Sequence, residues 1–165
     1  MANKGLENEF EMLIKEHEFL LNKICRVYTQ ALQDRQDLFQ EIVIQLWKSY
    51  PNFKGDAKIS TWMYKVAIYT SITGLRKKKN FIHSTEPENL PQVGSELQYD
   101  NTKDKQLENL YTAIAQLNEI EKAIIMLYLE NKNYAEMEEI MGINQGNLRV
   151  KMNRIKDKLK QIIKS

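Results

Sequence analysis

The carboxyl-terminal segment carries a strong local positive charge. Seven lysines and arginines lie between Asn144 and Ser165, where Asp157 is the single acid. Arginine can pair with guanine, and asparagine or glutamine with adenine, through two hydrogen bonds each, and lysines further along can neutralise phosphates. The same charge would also suit the solvated face of an amphipathic helix, so composition alone leaves both readings open. The candidate DNA-contacting side chains here are Gln145, Asn147, Arg149, Lys151, Arg154 and Lys158.

The residues just before this basic segment favour DNA binding. A short helix is predicted from about Tyr134 to Met141, and Gly142-Ile143-Asn144 forms a three-residue turn before the basic helix. A short helix, a turn containing glycine and a second helix are typical of a helix-turn-helix, whose second helix enters the major groove. Other amphipathic helix pairs share this pattern.

A second group of residues has the composition that single-stranded nucleic acid requires, because aromatic rings stack on bases and cations hold the backbone. The loop glycine Gly55 would let backbone amides approach a flipped base. The aromatics could instead belong to the core, which we expect of Trp62, whereas Phe53 and Tyr64 are the better candidates for exposure. The group comprises Phe53, Trp62, Tyr64 and Tyr69, interleaved with Lys54, Lys58, Lys65 and the run Arg76–Lys79.

No catalytic or metal-binding motif accompanies these surfaces. The two histidines, His17 and His83, lie in different parts of the chain, and HExxH, CxxC, GxxxxGK[ST] and GxSxG are all missing from the sequence. We expect Glu136, Glu138 and Glu139 to form a solvated helix face and His17 to pack rather than bind a ligand. A metal-dependent nuclease would need clustered carboxylates, for which the compact candidates are Asp34, Asp37 and Glu41.

Composition points to a helical, soluble, intracellular protein. Of 165 residues, 42% are apolar, and the chain has only 6 glycines and 3 prolines, which disfavours a turn-rich β-sandwich or barrel. Net charge is only +2, so any nucleic-acid contact must rely on local charge. Cys25 is the single cysteine, and the longest apolar run, Ala123 to Leu129, is far too short to cross a bilayer. We therefore expect a cytoplasmic protein without a signal peptide and without membrane insertion.

Apolar periodicity predicts an all-α fold of two small helical domains joined by an acidic linker. One apolar stripe runs from Phe10 to Tyr28, and a second helix from about Arg35 ends at Tyr50-Pro51. Ser60 or Thr61 is the predicted N-cap of a third helix. We assign residues 1–83 to the first domain, 84–106 to the linker, which has five acidic and two basic residues, and 107–165 to the second domain.

The second domain resumes the helical period. Asn118 and Glu121 have the spacing of a capping box at a helix start. The last helix carries apolar residues at steps of four, three, four and three: Leu148, Met152, Ile155, Leu159 and Ile162.

Two stretches of the chain resemble one known family. DRQDLFQEIVIQLWKSYPNFKGDAKISTWMYKVAIYTSITGLRKKK is similar to the core module of an extracytoplasmic-function sigma factor, a small member of the bacterial sigma-70 family. LYTAIAQLNEIEKAIIMLYLENKNYAEMEEIMGINQGNLRVKMNRIKDKLKQ is similar to the promoter-reading module of the same family. The two cover about three-fifths of the chain in the family's order.

The resemblance implies three binding surfaces and no cofactor. A helix that docks on core RNA polymerase would present Asp37, Leu38, Gln40, Glu41, Gln45 and Trp47. The minus-ten element would be captured and held single-stranded by Phe53, Lys54, Gly55, Asp56, Lys58, Thr61, Trp62, Tyr64, Lys65, Tyr69, Arg76 and Lys77. The minus-thirty-five element would be read by Gln145, Asn147, Arg149, Lys151, Arg154 and Lys158.

The implied partners are bacterial core RNA polymerase, promoter DNA and an anti-sigma factor. The linker would follow the polymerase toward its RNA exit path, and bond-forming chemistry would belong to the polymerase, so the chain itself is predicted not to be an enzyme. The alternative is a stand-alone helix-turn-helix regulator that binds duplex DNA as a dimer. That alternative leaves the Asp37–Trp47 helix and the Phe53–Lys65 group unexplained.

Three residues depart from the family pattern. Tyr69 stands where an asparagine is usual, which changes the expected minus-ten preference. Glu138 replaces a small alanine in the first helix of the helix-turn-helix, so either its side chain reaches solvent or the helix pair is splayed. Gly146 costs about 1 kcal/mol of helix propensity relative to alanine, so we expect the start of the last helix to order on DNA.

Overall fold

The computed structural model describes residues 3–82 and 102–164. Within these residues the chain forms eight α-helices and no strand: α1 (Asn3–Glu16), α2 (Glu18–Tyr28), α3 (Leu32–Ser49), α4 (Ile59–Ile82), α5 (Thr102–Ile114), α6 (Glu119–Leu129), α7 (Tyr134–Met141) and α8 (Gln145–Lys164). The all-α prediction is confirmed. Most of the segment assigned to the linker, and His83, lie outside the described residues. The first five residues of α5, 102–106, fall within the segment predicted as linker.

The long first helix predicted from Phe10 to Tyr28 is wrong at one residue. His17 separates α1 from α2, with φ −109° and ψ 13° instead of helical values. Its ring Nδ1 lies 2.9 Å from the carbonyl oxygen of Leu13, one turn earlier. The backbone N–H of His17 donates to the same carbonyl at 3.2 Å, so the ring and the backbone of His17 share one acceptor at the break. The ring is half-buried, as the packing role predicted.

The amino-terminal module consists of α1–α4, and its core lies between α2, α3 and α4. Leucine and isoleucine side chains of α2 and α3 pack against Met63 and Ala67 of α4, all without solvent exposure. Cys25 is also fully buried here, and burial raises the pKa of its thiol to about 11. The apolar stripes of these helices are thus used for packing. The main buried side chains are Leu21, Ile24, Ile42, Leu46, Met63 and Ala67.

The carboxyl-terminal module consists of α5–α8 and is organised around α8. The predicted stripe of α8 faces α5, α6 and α7, and the capping box at the start of α6 is confirmed, with both Asn118 and Glu121 bonds present. The largest fully buried side chains of this module are Ile114, Ile124, Leu127, Met137, Leu148, Met152 and Ile155.

The two modules pack directly on each other in a closed arrangement. Helices α2 and α4 of the first module contact α5, α6 and α7 of the second. The Lys23 ammonium lies 2.6 Å from the Glu130 carboxylate. The Tyr28 hydroxyl donates a hydrogen bond of 2.8 Å to the backbone carbonyl of Glu119. The interface is therefore fixed by directional contacts as well as by apolar burial. None of the described helices combines the length and the apolar character needed to cross a bilayer.

Candidate nucleic-acid interface

Helices α7 and α8 form the predicted helix-turn-helix. Gly142 ends α7 in the left-handed conformation, at φ 72°, and its N–H donates to the Glu138 carbonyl at 2.8 Å. Two residues later the Asn144 side chain accepts the Asn147 N–H at 2.8 Å and caps α8. A glycine at the helix end and an asparagine at the next helix start make the short turn possible without strain.

The start of α8 is already helical. The helix begins at Gln145 and includes Gly146, so the expectation that this end orders only on DNA is not supported. The Asn144 cap offsets part of the propensity lost at the glycine. Of the two expected alternatives, a side chain that reaches solvent or a splayed helix pair, the partial exposure of Glu138 agrees with the first.

The predicted base-reading side chains share the open face of α8. Asn147, Arg149, Lys151 and Arg154 are exposed, and Gln145 is half-buried at the helix start. The guanidinium of Arg149 lies 5.0 Å from the ring centroid of Tyr134 in α7, a cation–π contact that orients it. The closed arrangement of the modules thus leaves the recognition face accessible.

Lys158 is engaged within the protein rather than free for phosphate. Its ammonium lies 2.7 Å from the Glu121 carboxylate, which also accepts the Asn118 N–H at 3.1 Å. Burial by itself raises the pKa of Glu121, but the hydrogen bonds and positive charge around it outweigh burial and hold that pKa below its ordinary value. Lys158, Lys151 and Arg154 line one wall of a groove of about 410 Å³ whose other wall is the start of α6, residues 118–121.

An aromatic cluster holds the predicted base-capture loop against the first module. The ring of Phe53 lies 5.1 Å from that of Trp62, and Trp62 lies 6.1 Å from Tyr50. Phe10 of α1 continues the cluster, at 5.5 Å from Tyr50 and 5.0 Å from Trp47. Such tilted ring pairs stabilise beyond their burial alone, so the loop is anchored at its aromatic end.

The tip of this loop is open. Lys54, Gly55, Asp56 and Lys58 are exposed, and Gly55 has φ 79°, a conformation that favours glycine. Phe53 is half-buried against Trp62 instead of fully exposed. The loop therefore presents its backbone and charges to solvent from a fixed aromatic base.

Helix α4 differs from the sequence prediction at its start and on one face. It begins at Ile59, and the Trp62 N–H donates to the Lys58 carbonyl, so Ser60 and Thr61 lie inside the first turn and are not its N-cap. Tyr64, expected to be exposed, is only 3% exposed. Tyr64 is buried because it lies on the side of α4 that the second module covers.

Contacts across the module interface account for the burial of Tyr64. The Lys132 ammonium lies 5.3 Å from its ring centroid. Burial, with the charges of Glu130 and Glu136, raises the pKa of the Tyr64 phenol to about 12. On α4, the exposed predicted DNA-contacting side chains are Lys65 and Tyr69. The side chains of Arg76 and Lys77 lie outside the described part of the chain.

Helix α3 offers a polar edge beside an apolar stripe. Asp37, Gln40 and Glu41 are exposed, whereas Ile42 and Leu46 are fully buried. Two of these carboxylates accept hydrogen bonds from amide side chains one turn away. Gln33 donates to Asp37 at 3.2 Å, and Gln45 donates to Glu41 at 3.1 Å. Leu38 and Gln45 are half-buried, and Trp47 is 36% exposed at the end of the edge. This edge can bind a partner protein without disturbing the core.

Some site residues were missed from the sequence. Asn133 and Glu136 form a second capping box that fixes the start of α7, and the Asn-x-x-Glu spacing could have revealed it. The Tyr134 contact to Arg149 carries no sequence signal. Among the described residues no group of three or more histidine, cysteine, aspartate or glutamate side chains is placed to hold a metal ion, and Asp34, Asp37 and Glu41 are not such a group.

Comparison with known families identifies the two modules. The family model for Sigma-70 region 2 matches residues 13–81, and that for Sigma-70 region 4 matches residues 107–159. The chain belongs to the sigma-70 family. Relatives of this sigma factor include the ECF RNA polymerase sigma-E factor of Haemophilus influenzae, 25% identical over 98% of this chain and 91% of the relative. The sigma-E factor of Escherichia coli K12 is 23% identical over 94% of this chain and 87% of its own length.

Solved structures show the same fold. The sigma factor RpoE of Bartonella quintana, in complex with the anti-sigma factor NepR, aligns with a TM-score of 0.76 and 16% identity over 94% of this chain and 97% of that one. CnrH, in complex with the cytosolic domain of CnrY, aligns with a TM-score of 0.68 and 13% identity over 96% and 89%. The two family models and the sigma-E relatives together assign this sigma factor to the extracytoplasmic-function type, and the stand-alone regulator is not favoured.

Proposed function

We propose that this sigma factor docks on core RNA polymerase through the exposed edge of α3 and places its two modules on two promoter elements. The proposal depends on one observation: the same protein exposes the α3 edge and two cationic surfaces. One cationic surface is the loop 53–58 with α4, and the other is the open face of α8. Asp37, Gln40 and Glu41 supply the polar contacts, and Leu38, Gln45 and Trp47 supply contact area beside them.

The DNA contacts divide by chemistry. On α8, Gln145, Asn147 and Arg149 read base edges in the major groove, while Lys151, Arg154 and Lys158 contact phosphates after Lys158 exchanges its bond to Glu121. In the first module, the loop 53–58 captures an unpaired base of the minus-ten element, supported from Trp62, and Arg76 and Lys77 contact phosphates. Thr61 is only 9% exposed inside the first turn of α4, so its support is indirect. Tyr64 takes part only after the modules separate, because α4 is covered there.

We propose that the promoter strands open without nucleotide hydrolysis and without a cofactor. The free energy of binding the flipped bases drives the opening. The chain acts in the cytoplasm and is not itself an enzyme. The likeness of its fold to two sigma factors solved with anti-sigma factors supports an anti-sigma partner here as well. We also propose two domains joined by a linker, assigned from the sequence as residues 1–83, 84–106 and 107–165, with the start of the second domain moved to Thr102, where α5 begins.

Co-purification with bacterial core RNA polymerase tests the docking edge. We expect the wild-type chain to bind stoichiometrically and the triple variant Asp37→Ala, Gln40→Ala, Glu41→Ala to lose binding. The matched control is Glu7→Ala, Asn8→Ala, Glu11→Ala, which removes two carboxylates and one amide from exposed positions of α1. Equal binding by wild type and the α3 variant would overturn the assignment of the edge. Failure of the wild type to bind, with duplex DNA binding retained, would overturn the proposed docking on polymerase itself.

A further inference from the structure

Val150 is an apolar side chain in the middle of the polar face of α8. It is 49% exposed, and the other large apolar side chain that is exposed in the described part of α8 is Ile163, near the helix end. Val150 lies two residues after Leu148 and two before Met152, both fully buried. Because two residues turn a helix by about 200°, Val150 faces almost directly away from the buried stripe. Its side chain therefore takes no part in the core of the second module.

Helix stability gives no reason for a valine at this position. A β-branched side chain has a lower helix propensity than alanine, and an exposed one gains little from burial. Gly146, one turn earlier, is likewise not required by the fold, because a Cβ there would meet only the Asn144 Oδ1 at an ordinary 3.5 Å. Both residue types therefore point to a contact made from outside the protein.

The surroundings of Val150 are those of a base-reading surface. Asn147 and Arg154, one turn before it and one turn after it, are exposed on the same side of the helix. Gly146 adds no side chain there, so a base edge can approach the helix closely beside Val150. Helix α8 starts at Gln145, which places Val150 in the amino-terminal turns that contact base edges in a helix-turn-helix.

The side chain of Val150 matches one chemical group of the major groove. Valine has neither a hydrogen-bond donor nor an acceptor in its side chain, so it cannot pair with the polar groups of a base edge. The apolar group that base pairs present in the major groove is the C5-methyl of thymine. Contact between this methyl and the valine removes apolar surface of both from water, which is favourable.

We propose that Val150 is a specificity-determining residue that contacts the C5-methyl group of a thymine in the minus-thirty-five element. The proposal rests on the promoter-reading function proposed above and adds an apolar contact to the polar and charged ones assigned there. It requires an A·T base pair at the position that faces Val150. It discriminates thymine at that position against cytosine, which has no methyl group.

The test uses holoenzyme reconstituted from the full chain and core RNA polymerase, with a duplex promoter fragment that the wild-type holoenzyme selects from a random pool. Each thymine of the upstream element, on either strand, is replaced in turn by uracil, which keeps the hydrogen-bonding groups and lacks the methyl. We expect one such position to weaken wild-type binding about three- to fivefold, the effect of one buried methyl group. Val150→Ala should weaken binding to the thymine duplex at least as much, and the same uracil should weaken binding of Val150→Ala no further.

The matched control is Ile163→Ala, which shortens the other exposed apolar side chain of α8, about 20 Å away along the helix axis, and should leave binding unchanged. Alanine has the higher helix propensity, so Val150→Ala retains the fold, and thermal unfolding checks this.

Three results would overturn the proposal. Equal weakening of Val150→Ala on the thymine and uracil duplexes, without a loss from uracil in wild type, would assign Val150 to a contact other than the methyl group. Normal binding by Val150→Ala, or a selected upstream element in which no uracil weakens wild-type binding, would overturn the contact and leave the promoter-reading function intact. Failure of the wild-type holoenzyme to select any duplex would overturn both.

Discussion

Two glycines of the helix-turn-helix sit four residues apart and have opposite conformational requirements. Gly142 has φ 72°, which L-residues with a side chain adopt only with strain. Gly146 lies in the first turn of α8, where a Cβ would meet the Asn144 Oδ1 at 3.5 Å, an ordinary contact. The same substitution should therefore act in opposite directions at the two positions.

We expect Gly142→Ala to lower the free energy of unfolding by about 1 kcal/mol and Gly146→Ala to raise it by about 0.5–1 kcal/mol. Urea unfolding of the full chain, followed by circular dichroism, measures both, and each variant is the control for the other. A shift of the same sign in both would contradict the assigned backbone conformations.

At single-residue level, the sequence indicated which aromatic residues matter but not where each one points. Trp62, Tyr64 and Tyr69 all lie in one predicted helix, and periodicity places them on different faces. Which face is covered depends on the second module, whose contacts with Tyr64 come from residues near position 132. Local patterns hold no information about a contact between positions so far apart in sequence, so the expected exposure of Tyr64 was wrong.

Among the helices, the link between α6 and α8 depends on charge. Glu121 closes the capping box of α6 and binds Lys158 of α8, and its pKa lies below the ordinary 4.5. A carboxyl with a lowered folded pKa contributes stability that is fully present above its unfolded value. That contribution is lost as the pH falls through the folded value.

The variant Glu121→Gln keeps an oxygen to accept the Asn118 N–H and removes the charge that binds Lys158. We expect it to destabilise the protein by about 0.5–1 kcal/mol at neutral pH, with the difference from wild type shrinking below about pH 4. Denaturant unfolding at a series of pH values measures the difference in unfolding free energy between the variant and wild type. Glu139→Gln, an exposed glutamate on α7, is the control. If the difference in unfolding free energy between the variant and wild type does not change with pH, the ion pair adds no stability.

Helix bounds in the second module were largely predictable because their signals are local. The limits of α7 and the Asn118 box follow from capping residues and a glycine within a few positions of each other. The break at His17 was not predicted, because the apolar stripe continues through it and no glycine or proline lies beside it. Capping chemistry can be read from neighbouring residues, whereas a side chain bonding back to its own helix cannot.

Taken as a whole, the molecule is held closed by contacts that join distant parts of the chain. The Tyr28–Glu119 and Lys23–Glu130 contacts connect positions separated by 91 and 107 residues. The closed arrangement was therefore beyond prediction from the sequence, which left the relative placement of the modules open. Because Lys23 and Glu130 retain partial exposure, their attraction is screened and modest.

Reversing one charge of this pair should favour separation of the modules. We expect Lys23→Glu or Glu130→Lys to raise the open population about three- to tenfold, equivalent to about 1 kcal/mol, and the double reversal to restore the closed form. Distances between a spin label on each module measure the populations. Lys158→Glu, whose partner Glu121 lies in the same module, is the control. Unchanged distances in both single variants would show that the remaining interface contacts hold the modules together without this ion pair.

The buried thiol of Cys25 has a practical consequence for such work. With no solvent exposure and a pKa near 11, it stays protonated and shielded around neutral pH, where maleimides react with accessible thiolates. It is also the chain's only cysteine. New cysteines can therefore be placed on the outer surface of each module and labelled selectively, while Cys25 stays unmodified in the core.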